Sequence, residues 1–267
     1  MGTTQVRVRR ERPTAAAWAL ALLLTMLVVF ALTLGATAPD AVESVSAAPR
    51  VTRQVVFAAM ERWCVSMGRF EDAGRARIEA AGSVSGGGAG LVQAVDGGWQ
   101  VLGAMVGSER EARRLAAQLK SDTGAEAEAV RLDCEAVTVQ ITAPERQIDA
   151  IAGAEQALRG QVDQLDTLAR QLDRGEQRPD GARTLCALAA TEIRQAGENL
   201  ARTPGAAENR LCATLLESLD ALAGQLDAIS ASGQAAASSL SGMARLAGID
   251  TYLRLRALRQ ALLEEAK

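Results

Sequence analysis

The chain has 267 residues, is 48% hydrophobic, and sets 29 basic against 32 acidic side chains for a net charge of −3, with no histidine at all. Net acidity gives no general attraction to nucleic acid. The lack of histidine excludes Ser-His-Asp and Cys-His catalysis and histidine-ligated zinc. Cys64, Cys134, Cys186 and Cys212 form no CxxC pair, so no thiolate metal cluster is expected, nor any other metal or cofactor.

Residues 1–14 carry Arg7, Arg9, Arg10 and Arg12 against the single acid Glu11, and residues 15–35 follow without a charge. Such a run is long enough to cross the ~30 Å hydrocarbon core as a helix. Arginines before it and Asp40 and Glu43 after it place the N-terminus in the cytoplasm and the bulk of the chain outside. The competing reading is a cleaved signal peptide, with Ala36-Thr37-Ala38 as the processing site. The uncleaved anchor is favoured because the apolar run exceeds a signal peptide's usual core and Pro39 follows the cut. The expectation is a cytoplasmic tail at 1–14, a transmembrane helix at 15–36, a linker at 37–53 and a single-pass cell-membrane protein.

Residues 51–60 are apolar enough for an extra strand or a packed lead-in. From Arg62 to Asp133 the order reads strand, helix, strand, tight turn, strand, helix, strand. In Trp63-Cys64-Val65-Ser66-Met67-Gly68-Arg69-Phe70, the larger apolar side chains alternate with smaller ones. Asp72 to Ala81 is the first helix. Gly82 to Gly90 lacks the Gly-Lys-Ser/Thr ending of a phosphate cradle and reads as a flexible connector. Asp96-Gly97-Gly98 separates the apolar runs 91–95 and 99–106, a hairpin signal of the primed-turn kind. Ser108-Glu109-Arg110-Glu111 is a capping box for a helix with Ala112, Leu115, Ala116 and Leu119 on one face. Gly124 ends it, Ala129 to Leu132 returns as a strand, and Glu135 to Thr142 can extend the sheet.

At these residues the sequence resembles the SPOR domain, a small βαββαβ module of bacterial envelope proteins that binds peptidoglycan glycan strands lacking stem peptides. The resemblance lies in Trp63, Val65, Gly68 and Phe70, in Gly98-Trp99-Gln100-Val101, and in Glu111-Ala112, Leu115 and Leu119. Two departures matter: Ser66 stands where family members usually carry glutamine, and Ala104-Met105 where they carry Gly-Pro. The resemblance implies a ferredoxin-like domain over 54–142, with helices on one face and a glycan surface on the other. Strand alternation turns Val65, Met67 and Val101 toward the helices and Cys64, Ser66, Gln100 and Leu102 away from them. Those last four are the candidate glycan-binding residues, Ser66 and Gln100 supplying hydrogen bonds. Trp63 and Trp99 read as core or rim packing.

Pro144 begins a helical regime. Ile151, Leu158, Leu165 and Leu172 stand seven apart, with Glu155 and Ala169 weakening the seam. A second helix over 182–201 is read on Leu185, Leu188, Ala189, Ile193, Ala196 and Leu200. A third carries Leu211, Leu215, Leu219, Leu222, Leu226 and Ile229, and Asp250 caps a last one bearing Leu255, Leu258 and Leu262. A helical bundle or coiled-coil region over 143–267 follows.

A disulfide between Cys64 and Cys134 is weighed against alternation that puts them on opposite faces; Cys186 and Cys212 read as buried free thiols. Glu71, Asp72 and Asp96 sit at a helix start and a turn, where acids are favoured structurally, so no catalysis is expected. The expected class is thus α+β: an N-terminal transmembrane helix, a SPOR-like domain and a helical bundle. Two functions remain open. One is a non-catalytic envelope protein that binds peptidoglycan glycan strands in cell division or sporulation. The other is a structural or interaction protein whose SPOR-like domain is a spacer and whose residues 145–267 bind a protein partner or a second copy.

Overall fold

Twelve elements follow one another in the computed structural model, which describes residues 49–124 and 126–265. They are β1 (Arg50–Phe57), β2 (Met60–Phe70), α1 (Ala73–Ser85), β3 (Leu91–Val95), β4 (Gly98–Val106), α2 (Glu109–Thr123), β5 (Glu128–Cys134), β6 (Val137–Pro144), α3 (Glu145–Asp173), α4 (Pro179–Ala201), α5 (Arg210–Ser230) and α6 (Ala237–Glu265).

Local chemistry sets the boundaries of the first elements. Asp72 caps α1 by accepting from the Arg75 N–H at 2.8 Å, and Ser108 caps α2 by accepting from the Glu111 N–H at 3.3 Å. Gly124, at φ +71°, closes α2 in the left-handed conformation that a side chain would resist. Asp96 and Gly97 form a two-residue hairpin loop, Val95 pairing with Gly98. Only glycines have positive φ among the described residues, so Asp96 does not, and the turn is not a primed one.

Four strands form an antiparallel sheet in the order β3-β4-β2-β5. One face is covered by α1 and α2. Val65, Val106, Ala112 and Ala116 form a small core beneath α2, with Trp63 at its rim. Ala76, Ala80 and Val101 form another beneath α1, with Met67 and Trp99 at its rim. β1 and β6 pair antiparallel as a separate two-stranded sheet. Met60 opposes Cys134, and Phe57 opposes Val137. The two-stranded sheet therefore prolongs the β2–β5 pair across a break at Ala58-Ala59 and Glu135-Ala136.

The four C-terminal helices do not stand apart from the sheet. α3 packs against α6 and α4 against α5, while α6 also meets β3, β4, β5 and β6, and α3 meets β1 and β6. One continuous core runs from Met60, Cys64, Leu102, Met105 and Leu132 to Ile151, Leu158, Leu222 and Leu255. Residues 49–267 are accordingly one compact unit. The expected division at 142/143 falls at the β6–α3 junction, which separates no cores.

The expected class needs correction. Among the described residues the chain is α+β with six helices and two sheets, and no helix there is long and apolar enough to cross a membrane. The expected span at 15–36, the tail and most of the linker lie outside the described residues. The assignment as a single-pass membrane protein is therefore withdrawn.

Further differences have local causes. α1 runs to Ser85, four residues past its expected end, before Gly86 caps it. α6 begins at Ala237, so Asp250 is no cap. It lies within the helix and accepts from Gln225 Nε2 at 3.0 Å and from Arg254 Nε at 2.9 Å.

Candidate functional site

The strand face turned away from α1 and α2 is the place to look for a glycan surface, and it is closed. Cys64, Ser66 and Leu102 are 0% exposed and Gln100 is 2% exposed. Their burial follows from α6, whose sheet-facing stripe includes Ala244, Gly248, Tyr252, Leu255 and Arg259, all within the helix's buried set. Ser66 Oγ accepts from the Gly68 N–H at 3.4 Å, inside a stretch of β2 where pairing with β4 shifts register. Gln100 Oε1 accepts from Gln93 Nε2 at 3.0 Å, and Gln100 Nε2 is buried without a partner. Burial pushes the Cys64 thiol up to about 12. The structure thus brings the four candidates together on one face, as strand alternation requires, and then seals it with the chain's own helices. As a surface for glycan, these residues are corrected to interior ones.

Two polar clusters hold α6 in place. Arg259 Nη1 donates to the carbonyls of Ala58 at 2.7 Å and Glu135 at 3.4 Å, the two strand-break positions, and Nη2 pairs with Glu155 on α3. Tyr252 Oη lies 2.6 Å from the Leu132 carbonyl and 2.9 Å from that of Met60, with one proton to donate between them. Farther up the helix, Arg245 pairs with Asp173 and donates to the Gly87 carbonyl, and Ser241 Oγ donates to Asp173 Oδ1 at 2.6 Å. The glycine loop after α1 is therefore no loose connector. Its backbone is the surface on which the first turns of α6 sit.

The cysteines are all free and buried. Cys64 opposes Val130, and Cys134 opposes Met60. They share a face, contrary to the expectation, but stand four residues apart along the ribbon. That is about 13 Å, well beyond disulfide reach. Burial also raises Cys186, to about 11. No group of His, Cys, Asp and Glu among the described residues could hold a metal ion.

The helical part of the chain carries an open apolar feature. A groove of about 430 Å³ runs between α3 and α4, its walls including Gln164, Leu168, Gln171, Leu185, Leu188 and Glu192. Sequence periodicity places Leu185 and Leu188 in the buried seam of α4; instead they are 48% and 57% exposed. The seam is carried by Ala182, Cys186, Ala190, Ile193, Gly197 and Leu200. Small residues there let α4 approach α5 closely, which turns the larger leucines outward. Thr167, Thr184 and Thr191 spend their hydroxyls on the carbonyls of Asp163, Asp180 and Ala187 at 2.9, 3.0 and 3.1 Å. Those threonines have no hydroxyl proton left to offer a ligand.

Sequence reasoning missed this groove and the Arg259–Glu155 pair. Glu155 at a heptad seam position was the available signal for the second, since a buried acid needs a partner. Comparison with protein-family models, with curated proteins and with solved structures finds no match.

Proposed function

We propose that this chain is a non-catalytic interaction protein in which the SPOR-like sheet is an internal support and the C-terminal helices present the binding surface. One observation carries the reading. Cys64 and Leu102 are buried in the core shared with α3 and α6, and Ser66 and Gln100 are buried on the same strands, while Leu185 and Leu188 are about half exposed beside an open apolar groove. A glycan strand needs an accessible, hydroxyl-matching surface, and the face that the resemblance implies for it offers none. Apolar exposure beside a groove is the ordinary mark of a protein–protein contact.

The test is pelleting of the full chain with sacculi, either intact or stripped of stem peptides. Retention on neither is the expected result. Retention on stripped sacculi alone would overturn the interaction reading in favour of glycan binding.

A further inference from the structure

We propose that the outer stripe of α4 is a self-association face through which two copies of this chain pair antiparallel, Leu185 of each against the second copy's Leu188. This deepens the interaction reading and rests on it. On a helix of 3.6 residues per turn, Gly181, Leu185, Leu188 and Glu192 fall on one face. Leu185, Leu188 and Glu192 of that stripe are exposed. Two half-exposed leucines stand beside a groove of about 430 Å³ on the same side of the molecule. A two-fold contact needs just this, a knob and a hole on one patch, because each copy must supply both.

Charge selects a second copy as the occupant. α4 has no charged residue from Thr184 to Thr191. Arg178, the exposed residue preceding its first turn, and Glu192 make no ion pair among the described residues. The other charges of the helix are engaged: Arg183 with Asp180, Arg194 with Asp227, and Glu198 with Arg202. Within one helix Arg178 and Glu192 lie about 21 Å apart at 1.5 Å per residue, too far to meet. Antiparallel pairing of Leu185 with Leu188 brings Glu192 over the second copy's Gly181, which has no Cβ and is met there by the end of the flexible Gln177 side chain, an amide able to donate to a carboxylate. The second copy's Arg178 is then one turn away, at the positive end of its helix. The two-fold makes this contact twice.

Sedimentation velocity of the full chain over a concentration series tests the pairing. The wild type is expected to be a dimer, and Leu185→Glu with Leu188→Glu a monomer with an unchanged far-ultraviolet circular dichroism spectrum. Arg178→Glu and Glu192→Arg should each weaken association about five- to tenfold, since every substitution acts at two sites. Combining them should restore the wild-type affinity, a rescue that no contact within one helix can give. These charge variants touch only exposed side chains and keep the test valid should the glutamate pair misfold. A monomeric wild type, a dimer indifferent to the leucine changes, or a combined variant no tighter than the single ones would overturn the pairing. A monomer that still fails to pellet with stripped sacculi would leave the interaction reading standing; pelleting would remove both.

Discussion

Arg259 and Glu155 form an ion pair in which the side chains are 1% and 5% exposed, joining α6 to α3. Every other ion pair among the described residues leaves at least one side chain about a quarter exposed or more. Burying two charges is costly, and the cost is offset here because Arg259 also serves the carbonyls of Ala58 and Glu135. Those carbonyls lie where the β1–β2 and β5–β6 strands break, so no ladder partner is available to them. A single guanidinium thus completes the hydrogen bonding of three chain segments.

Removing either member alone strands the other charge, so Arg259→Met and Glu155→Met should each lose about 3–5 kcal/mol. The double Met variant should recover most of the stranded-charge loss seen for Arg259→Met but less of that for Glu155→Met, because the two carbonyls are still served in Glu155→Met and are unserved in the double. Urea unfolding of the four proteins, read as a double-mutant cycle, measures this. Equal single losses with full recovery would show that the carbonyl contacts contribute nothing.

Tyr252 makes a second tie between α6 and the sheet, its hydroxyl 2.6 Å from the Leu132 carbonyl. Tyr252→Phe keeps the ring and deletes the donor, so stability should fall by about 1–2 kcal/mol with α6 still seated. Amide exchange should rise for α6 and for the β2–β5 pair, leaving α4 and α5 as before. Uniform change across all helices would argue against a local tie.

Gly242 is packed so closely that an added Cβ would lie 2.5 Å from the Val84 carbonyl oxygen and 2.7 Å from that of Gly88. Both are backbone atoms with no room to yield. Replacing a helical glycine by alanine ordinarily stabilises by about 0.5–1 kcal/mol. Gly242→Ala should reverse that sign and destabilise, while Gly224→Ala, with nothing within 4 Å of its added Cβ, should follow the ordinary rule. Thermal melts of the pair decide it. Two stabilising results would mean that α6 is not seated on the glycine loop.

The sequence made some of this legible and hid the rest for physical reasons. Asp72, Ser108 and the Asp96-Gly97 turn act within a few residues of themselves, so their signals survive in any tertiary setting. The covered sheet face was the harder case. Ser66 and Gln100 suggested a solvated surface, yet Val101, Leu102, Ala104, Met105 and Val106 form an almost unbroken apolar run, the mark of a strand buried on both faces. The start of α6 was hidden for the opposite reason. Ser241, Gly242, Ala244 and Gly248 are poor or small helix residues chosen for close approach: Ser241 Oγ reaches the Ala169 carbonyl at 3.3 Å, and a Cβ on Gly248 would meet Leu165 at 3.6 Å. Ala169, which looks like a weakness in the heptad, is the space that α6 fills.

Burial of the thiols fixes the sign of a pH effect. Cys64 rises from an ordinary value of 9.0 to about 12 and Cys186 to about 11, both by desolvation, and Cys134 and Cys212 shift the same way. A raised folded value means that the unfolded chain gives up its proton first as pH increases. The stability these thiols contribute is therefore whole below about pH 9 and is lost between about pH 9 and pH 12. By pH 10.5 the loss from Cys64 alone should be on the order of 1–2 kcal/mol. Cys64→Ala, less stable at neutral pH because of the cavity it leaves, should show a visibly shallower fall over that range in urea unfolding. At pH 8 none of the four thiols should react with iodoacetamide in the folded chain, and all should react in guanidinium. Rapid labelling of Cys64 under native conditions would mean that α6 lifts from the sheet, reopening the very face whose closure separates the interaction reading from the glycan one.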